Sequence, residues 1–220
     1  MFDLALRPAK DRLLTPVADR VAGFISAGAV TGGGLLCGVG CAVAAAVGFR
    51  WLSLVLWLAG RTVDGLDGLV ARRRGEATDL GGYLDMLADT VAYTAIPIGL
   101  AVHAGERSVW AATAVLLGSF YVNTMSWAYL SALLEKRGQG VAGSDEPTTI
   151  RMPAGLVEGA ETLAFYALFL VLPSQLAWLF GAMAALVALT VGQRVRWAQR
   201  VLRRSAVPLQ DRLVRSVEER

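Results

Sequence analysis

The chain has 220 residues, 55% of them hydrophobic, with a mean hydropathy of +0.51 and a net charge of +3. That length suits a single domain, and that composition is too apolar for an ordinary soluble one, so the bilayer is the expected solvent. The arginines gather beside apolar segments, so anionic lipid headgroups rather than nucleic acid are their expected partners.

In chain order, Leu6, Leu13, Val17, Val21 and Phe24 recur at helical spacing beside charged neighbours. The pattern predicts an amphipathic helix over 1–24 lying on the membrane surface. Pro8 and Pro16 fit it poorly, and a disordered basic leader is the alternative. The first dozen residues lack the apolar core and cleavage site of a signal peptide, so no cleaved leader is expected.

Six apolar stretches follow, near 27–47, 51–71, 80–103, 108–133, 155–172 and 176–198. Each has roughly the 20 residues that about 30 Å of hydrocarbon requires. Gly34 and Gly38 form a GxxxG in the first stretch, which predicts close helix packing. Bare backbone beside a nucleotide phosphate is a second use for these glycines. Cys37 and Cys41 lie four apart, not in CxxC spacing, and read as small buried hydrophobes. His103, the only histidine, falls at the outer end of the third stretch, so the charged side has no Ser-His-Asp or Cys-His arrangement. The longest polar connection, Glu135 to Pro153, reads as a cytoplasmic loop. An even number of spans with both termini in the cytoplasm places 18 of the 21 Lys and Arg on the inner side.

The expected architecture is therefore an all-α integral membrane domain with a surface helix over 1–24, a six-helix core over 27–198 and a basic cytoplasmic tail over 199–220.

Four aspartates, Asp64, Asp67, Asp85 and Asp89, stand in the second and third stretches. A charge at the bilayer centre costs on the order of 2.5–3.5 kcal/mol, so all four must be paired. The members of each pair are three and four residues apart and share a helix face. The short turn at 74–78 makes the two helices antiparallel neighbours whose carboxylates meet. Repulsion between them is relieved by divalent cations, and an all-oxygen site selects Mg²⁺ or Mn²⁺, with room for two ions. Arg72, at the mouth of the same helix, suits a phosphate held there. Gly68, Ala71 and Gly81 leave space for a base or ribose, with helix packing as the alternative.

Taken together, Asp64-x2-Asp67-Gly68-x2-Ala71-Arg72-x8-Gly81-x3-Asp85-x3-Asp89 resembles the complete signature of the CDP-alcohol phosphatidyltransferases. The resemblance implies two metals on the four aspartates, Asp89 as the base for an acceptor hydroxyl, and a CDP site along Asp67, Gly68, Ala71, Arg72 and Gly81. Family members often carry Pro-Asn ahead of a Thr-x-x-Gly in the first span. This chain has Ala27-Gly28 ahead of Thr31 and Gly34, so Thr31 is the remaining candidate there for a phosphate contact.

The implied partners are CDP-diacylglycerol, an alcohol and a second copy of the chain, in the inner membrane of a bacterium with the site facing the cytoplasm. Asn123, Arg151, Glu158 and Glu161 are candidate acceptor contacts. Two acids beside one nearby arginine favour a small polyol or amino alcohol over a phosphorylated acceptor. Transfer from CDP-choline or CDP-ethanolamine to diacylglycerol is the alternative chemistry, and divalent-cation transport is a more distant one.

Overall fold

The computed structural model describes residues 3–137, 156, 157 and 159–204; Arg151 and Glu158 lie outside them. Seven α-helices occur among these residues: α1 (Asp3–Val21), α2 (Ala27–Val47), α3 (Arg50–Arg74), α4 (Asp79–Ala104), α5 (Arg107–Lys136), α6 (Gly159–Val171) and α7 (Leu176–Arg204). A 3-10 turn over Pro173–Gln175 joins α6 to α7.

Helix ends follow local chemistry. Ser26 and Thr78 occupy extended N-cap positions and accept the Ala29 and Gly81 amides. Gly48, Gly75 and Gly105 close α2, α3 and α4 in the left-handed region, at φ of 90°, 65° and 66°. Across the turns, Glu76 accepts the Ala27 amide at 3.2 Å and Arg74 Nε at 2.6 Å, so the α3–α4 turn caps the start of α2.

Among the described residues, three helical segments are long and apolar enough to cross a membrane, namely Ala27–Val47, Asp79–Ala104 and Pro173–Arg203. Helix α3 has the length but carries Arg61, Asp64 and Asp67, and α5 is uncharged from Ser108 to Leu134. The expected fifth span, 155–172, is helical only over Gly159–Val171 among the described residues. At 1.5 Å per residue those 13 residues reach about 20 Å, less than the hydrocarbon thickness. The last helix runs past the expected 198 to Arg204 and takes in the start of the basic tail. Leu36, Val43, Val47, Trp51, Leu52 and Val55 are exposed along α2 and α3, an apolar exterior that suits lipid rather than water.

Helix α2 is the axis of the site. It approaches α3 through Gly34 and Gly60, and α4 through Gly38 against Ala92 and Gly99 against Ala42. Contacts with α3 pair rising with falling numbers, and those with α4 rise together. Helix α2 is thus antiparallel to α3 and parallel to α4. The predicted small-residue packing is observed, and α3 and α4 are antiparallel neighbours as expected, meeting through side chains such as Trp57 and Tyr93, with ring centroids 5.9 Å apart. Both lean on α2, whose missing side chains admit them closely, and the acids occupy the space between them.

Trp57, Ile96, Leu116, Tyr166, Phe169 and Phe180 form the main core. A smaller core of Ala18, Val30, Leu66, Leu69 and Val70 seats α1, with Leu14 and Val21 packed against it and Leu13 and Val17 exposed on the other side. The Asp19–Arg73 ion pair and the hydrogen bond from Arg74 to the Ala22 carbonyl (2.7 Å) tie α1 to the end of α3.

Candidate active site

The acids lie toward the end of the bundle where α2 and α4 begin and α3 finishes. Asp64, Asp67 and Asp85 each offer a carboxylate oxygen, all within 4.8 Å of one another. Three half-buried oxygens at that spacing can share a hard divalent ion at ordinary Mg²⁺ or Mn²⁺ ligand distances, and repulsion among them gives such an ion its driving force.

Asp89 does not join this group. Its Oδ1 is held by Arg61 Nη2 at 2.7 Å, and Arg61 Nη1 lies 3.6 Å from Asp64 Oδ2. The four acids are therefore arranged as three together and one on a guanidinium, where helix spacing alone suggests a single cluster.

Thr31 donates to Asp67 Oδ2 at 3.2 Å and to the Ala27 carbonyl at 3.2 Å, so its hydroxyl reaches the acid group from α2. The Gly68 amide donates to Asp67 Oδ1 at 2.5 Å. Arg72 is exposed and folds back along α3, since a Cβ on Gly68 would stand 3.4 Å from Arg72 Nη1. Gly68 and Arg72 thus share one surface beside the acids, with half-buried Ala71 at the next position. Gly81 sits in the first turn of α4, its amide occupied by the Thr78 cap at 3.1 Å.

Asp85 and Asp89 line a cavity of about 830 Å³ between α4 and α5 that extends to Thr162 on α6 and Thr190 on α7. Asn123, Thr124, Ser131 and Glu135 supply its polar lining, and Trp127 and Phe120 its apolar walls. Glu161 is half-buried in the first turn of α6 and is not among the lining residues. A second cavity of about 700 Å³, walled by Phe49, Trp51, Leu100 and His103, occupies the opposite end of the bundle, with no acid among its described lining residues.

Sequence reasoning passed over two interior arginines. Arg61 lies inside the second apolar stretch, three residues before Asp64 and so on the same face. Arg194, near the end of the sixth apolar stretch, is buried at 8% exposure and donates to Asn123 Oδ1 and Ser126 Oγ, both at 2.7 Å. The signal for both was available, because a guanidinium inside an apolar stretch must find partners within the bundle.

The surroundings of Arg61 are aromatic. Its guanidinium lies 5.0 Å from the Trp57 ring centroid and 5.3 Å from that of Tyr93, and Nη1 donates to the Tyr93 hydroxyl at 3.1 Å. Tyr166 stacks on Trp57 with centroids 4.8 Å apart and donates to the Tyr93 carbonyl at 2.6 Å. That carbonyl would ordinarily accept the amide four residues on, but Pro97 has none, and the Tyr166 hydroxyl satisfies it instead.

Residues 24–192 match the sequence model of the CDP-alcohol phosphatidyltransferases. Inner membrane protein YnjF of Escherichia coli is 34% identical over 150 residues, which are 68% of this chain and 71% of that protein. Archaetidylinositol phosphate synthase of Methanothermobacter thermautotrophicus is 39% identical over 98 residues, 43% of this chain and 47% of that one. Phosphatidylinositol phosphate synthase of Mycobacterium tuberculosis, with CDP-DAG bound, is similar in fold, with a TM-score of 0.66. It is 24% identical, and the match covers 85% of this chain and 94% of that one. A structure of the same mycobacterial protein with manganese and citrate gives a TM-score of 0.65 at 22% identity, over 84% and 88% of the two chains. The match runs through the helices that carry every acid of the site, and the chain belongs to the CDP-alcohol phosphatidyltransferase family.

Proposed function

We propose that the protein transfers a phosphatidyl group from CDP-diacylglycerol to an alcohol and releases CMP. The observation that carries this reading is the convergence of Asp64, Asp67 and Asp85 beside a cavity that Asp89 also lines. In this reading the cytidine diphosphate lies along Gly68, Ala71 and Arg72. The Arg72 guanidinium meets a phosphate, and Gly81 and Thr31 border the same space. A divalent ion, Mg²⁺ or Mn²⁺, bound by the three carboxylates supplies charge neutralisation at the diphosphate. A second ion, implied by the family resemblance, would draw on Asp89 as well.

Asp89 faces the acceptor side and takes the hydroxyl proton as the acceptor oxygen attacks the phosphorus distal to cytidine. One oxygen–phosphorus bond forms, the bond to the CMP oxygen breaks, and the pair of electrons leaves with CMP. Arg72 offsets the charge that develops there. We place this reaction at the cytoplasmic face of a bacterial inner membrane, in a homodimer, on the strength of the charge distribution and the family resemblance.

The hydroxyl, amide and carboxylate lining of the cavity, with no Lys or Arg among its described lining residues, supports a small polyol or amino alcohol as acceptor. A phosphorylated acceptor is the second reading, favoured by Arg194, which carries a buried positive charge to Asn123 at the cavity wall. One experiment separates these readings. Purified protein is given CDP-diacylglycerol and Mg²⁺ with serine, inositol, inositol phosphate, glycerol phosphate or choline in turn, and CMP is measured. CMP release with an unphosphorylated alcohol supports the first reading, and release only with the phosphate esters supports the second. Labelled CDP-choline or CDP-ethanolamine consumed in preference to CDP-diacylglycerol would reassign the donor. Metal flux into liposomes without CMP would return the transport reading.

A further inference from the structure

Arg61 is a charged side chain inside a membrane helix, 11% exposed, and it has no place in the family's pattern of acids and small residues. Its contacts are specific. Nη2 bonds Asp89, Nη1 bonds Tyr93 and approaches Asp64, and two aromatic faces confine the guanidinium. Its Nε is buried without a hydrogen-bond partner among the described residues. Leaving a buried donor unmade is costly, so the pose is set by what the two terminal nitrogens hold rather than by full satisfaction of the guanidinium. The clamp is itself braced, because Tyr93 is fixed through its carbonyl by Tyr166, and Trp57 Nε1 donates to the Leu163 carbonyl at 3.3 Å.

We propose that Arg61 is a positioning residue for the transfer reaction: it holds Asp89 apart from the Asp64–Asp67–Asp85 group and turned to the acceptor cavity, and it serves as a fixed cation beside the metal site. The inference rests on the reading of Asp89 as the group that receives the acceptor proton. A planar fork can bond Asp89 and Tyr93 at once and stack between two rings, and an ammonium cannot, so lysine is not an equivalent. The fixed positive charge next to Asp64 also opposes a divalent ion. Removing it raises the site's affinity for metal while loosening Asp89, and a side chain with a merely structural role would not produce that pair of opposite effects.

The test compares wild type with Arg61→Gln, Arg61→Lys, Asp89→Asn and the double variant Arg61→Gln/Asp89→Asn, all as purified full-length protein. Two readouts are used: Mn²⁺ binding by electron paramagnetic resonance, and CMP release from CDP-diacylglycerol with inositol, inositol phosphate, serine and glycerol phosphate. Arg61→Gln is expected to bind Mn²⁺ roughly 10-fold more tightly and to lose roughly 100-fold in kcat, with the KM for CDP-diacylglycerol unchanged. Arg61→Lys keeps the wild-type Mn²⁺ affinity but not the rate. The double variant is no slower than Asp89→Asn alone, because Arg61 acts through Asp89. Wild-type kcat in Arg61→Gln or Arg61→Lys, with Asp89→Asn inactive, overturns the positioning role and leaves the base assignment standing. Wild-type kcat in Asp89→Asn overturns the base assignment itself. If Arg61→Gln binds no Mn²⁺ because it fails to fold, Arg61→Lys decides: a reduced rate at unchanged affinity supports the proposal, and a wild-type rate overturns it.

Discussion

Gly38 is where a single methyl group would reach the chemistry through packing alone. A Cβ built there stands 2.6 Å from the Ala92 Cβ, and Ala92 is fully enclosed on the turn of α4 that follows Asp89. Carbon atoms pack best at about 3.5–4.0 Å, so Gly38→Ala forces α2 and α4 apart by roughly 1 Å. Overpacking of this kind costs about 1–3 kcal/mol of stability, and a displacement of about 1 Å at a reacting group costs about 100-fold in rate. The two effects are read by thermal unfolding in detergent and by CMP release. Because the clash is methyl against methyl, Gly38→Ala/Ala92→Gly restores the rate, although the new glycine inside α4 costs about 1 kcal/mol in helix propensity. Gly28→Ala is the control, since nothing lies within 4 Å of its Cβ position. Wild-type rate and stability in Gly38→Ala, or a double variant as impaired as the single one, would refute the packing argument.

Other perturbations test separate parts of the structure. Tyr166→Phe leaves the Tyr93 carbonyl without a donor opposite Pro97 and is expected to lower stability by about 1–3 kcal/mol; an unchanged unfolding temperature would count against the bridging role. The hydrogen bond from Arg74, followed by that from the Ala27 amide, holds the Glu76 carboxyl below its ordinary pKa of 4.5. The stability it lends is therefore complete above that ordinary value and is lost as pH falls through the depressed one. The gap in unfolding temperature between wild type and Glu76→Gln should accordingly be present at pH 7 and close in acid, and a gap independent of pH would contradict the assignment. Arg194→Gln removes the donor to Asn123 at the cavity wall and is expected to raise acceptor KM more than donor KM. Equal changes in both would assign Arg194 to the scaffold.

Much of the fold was legible because membrane helices announce themselves by length and apolarity. The ends of α2, α3, α4 and α5 fall within a few residues of the expected ones, where glycines or charges interrupt the apolar runs. The fifth helix was harder to place because the apolar stretch from 155 to 172 is longer than the helical part described within it. Residue spacing showed that each pair of aspartates shares a helix face. It could not show that three would group while Asp89 turned to Arg61, because that depends on how far α2 holds α3 and α4 apart. Thr31 was expected to meet a phosphate, and its bond to Asp67 follows from the same α2–α3 approach. The link from Tyr166 to the carbonyl freed by Pro97 joins residues 73 positions apart and has no local signal. Arg194 was hidden by its neighbours, since a run of arginines reads as a solvated tail until the helix is seen to carry its first member inside.

The central claim is that Asp64, Asp67 and Asp85 share a divalent ion. The most direct measurement is Mn²⁺ binding to purified wild type and to Asp67→Asn by electron paramagnetic resonance, with CMP release followed in the same samples. The account predicts saturable Mn²⁺ binding in wild type, its loss in Asp67→Asn, and CMP release that chelator stops and Mg²⁺ restores. Equal Mn²⁺ binding in the two proteins, or CMP release that persists in excess chelator, would contradict it.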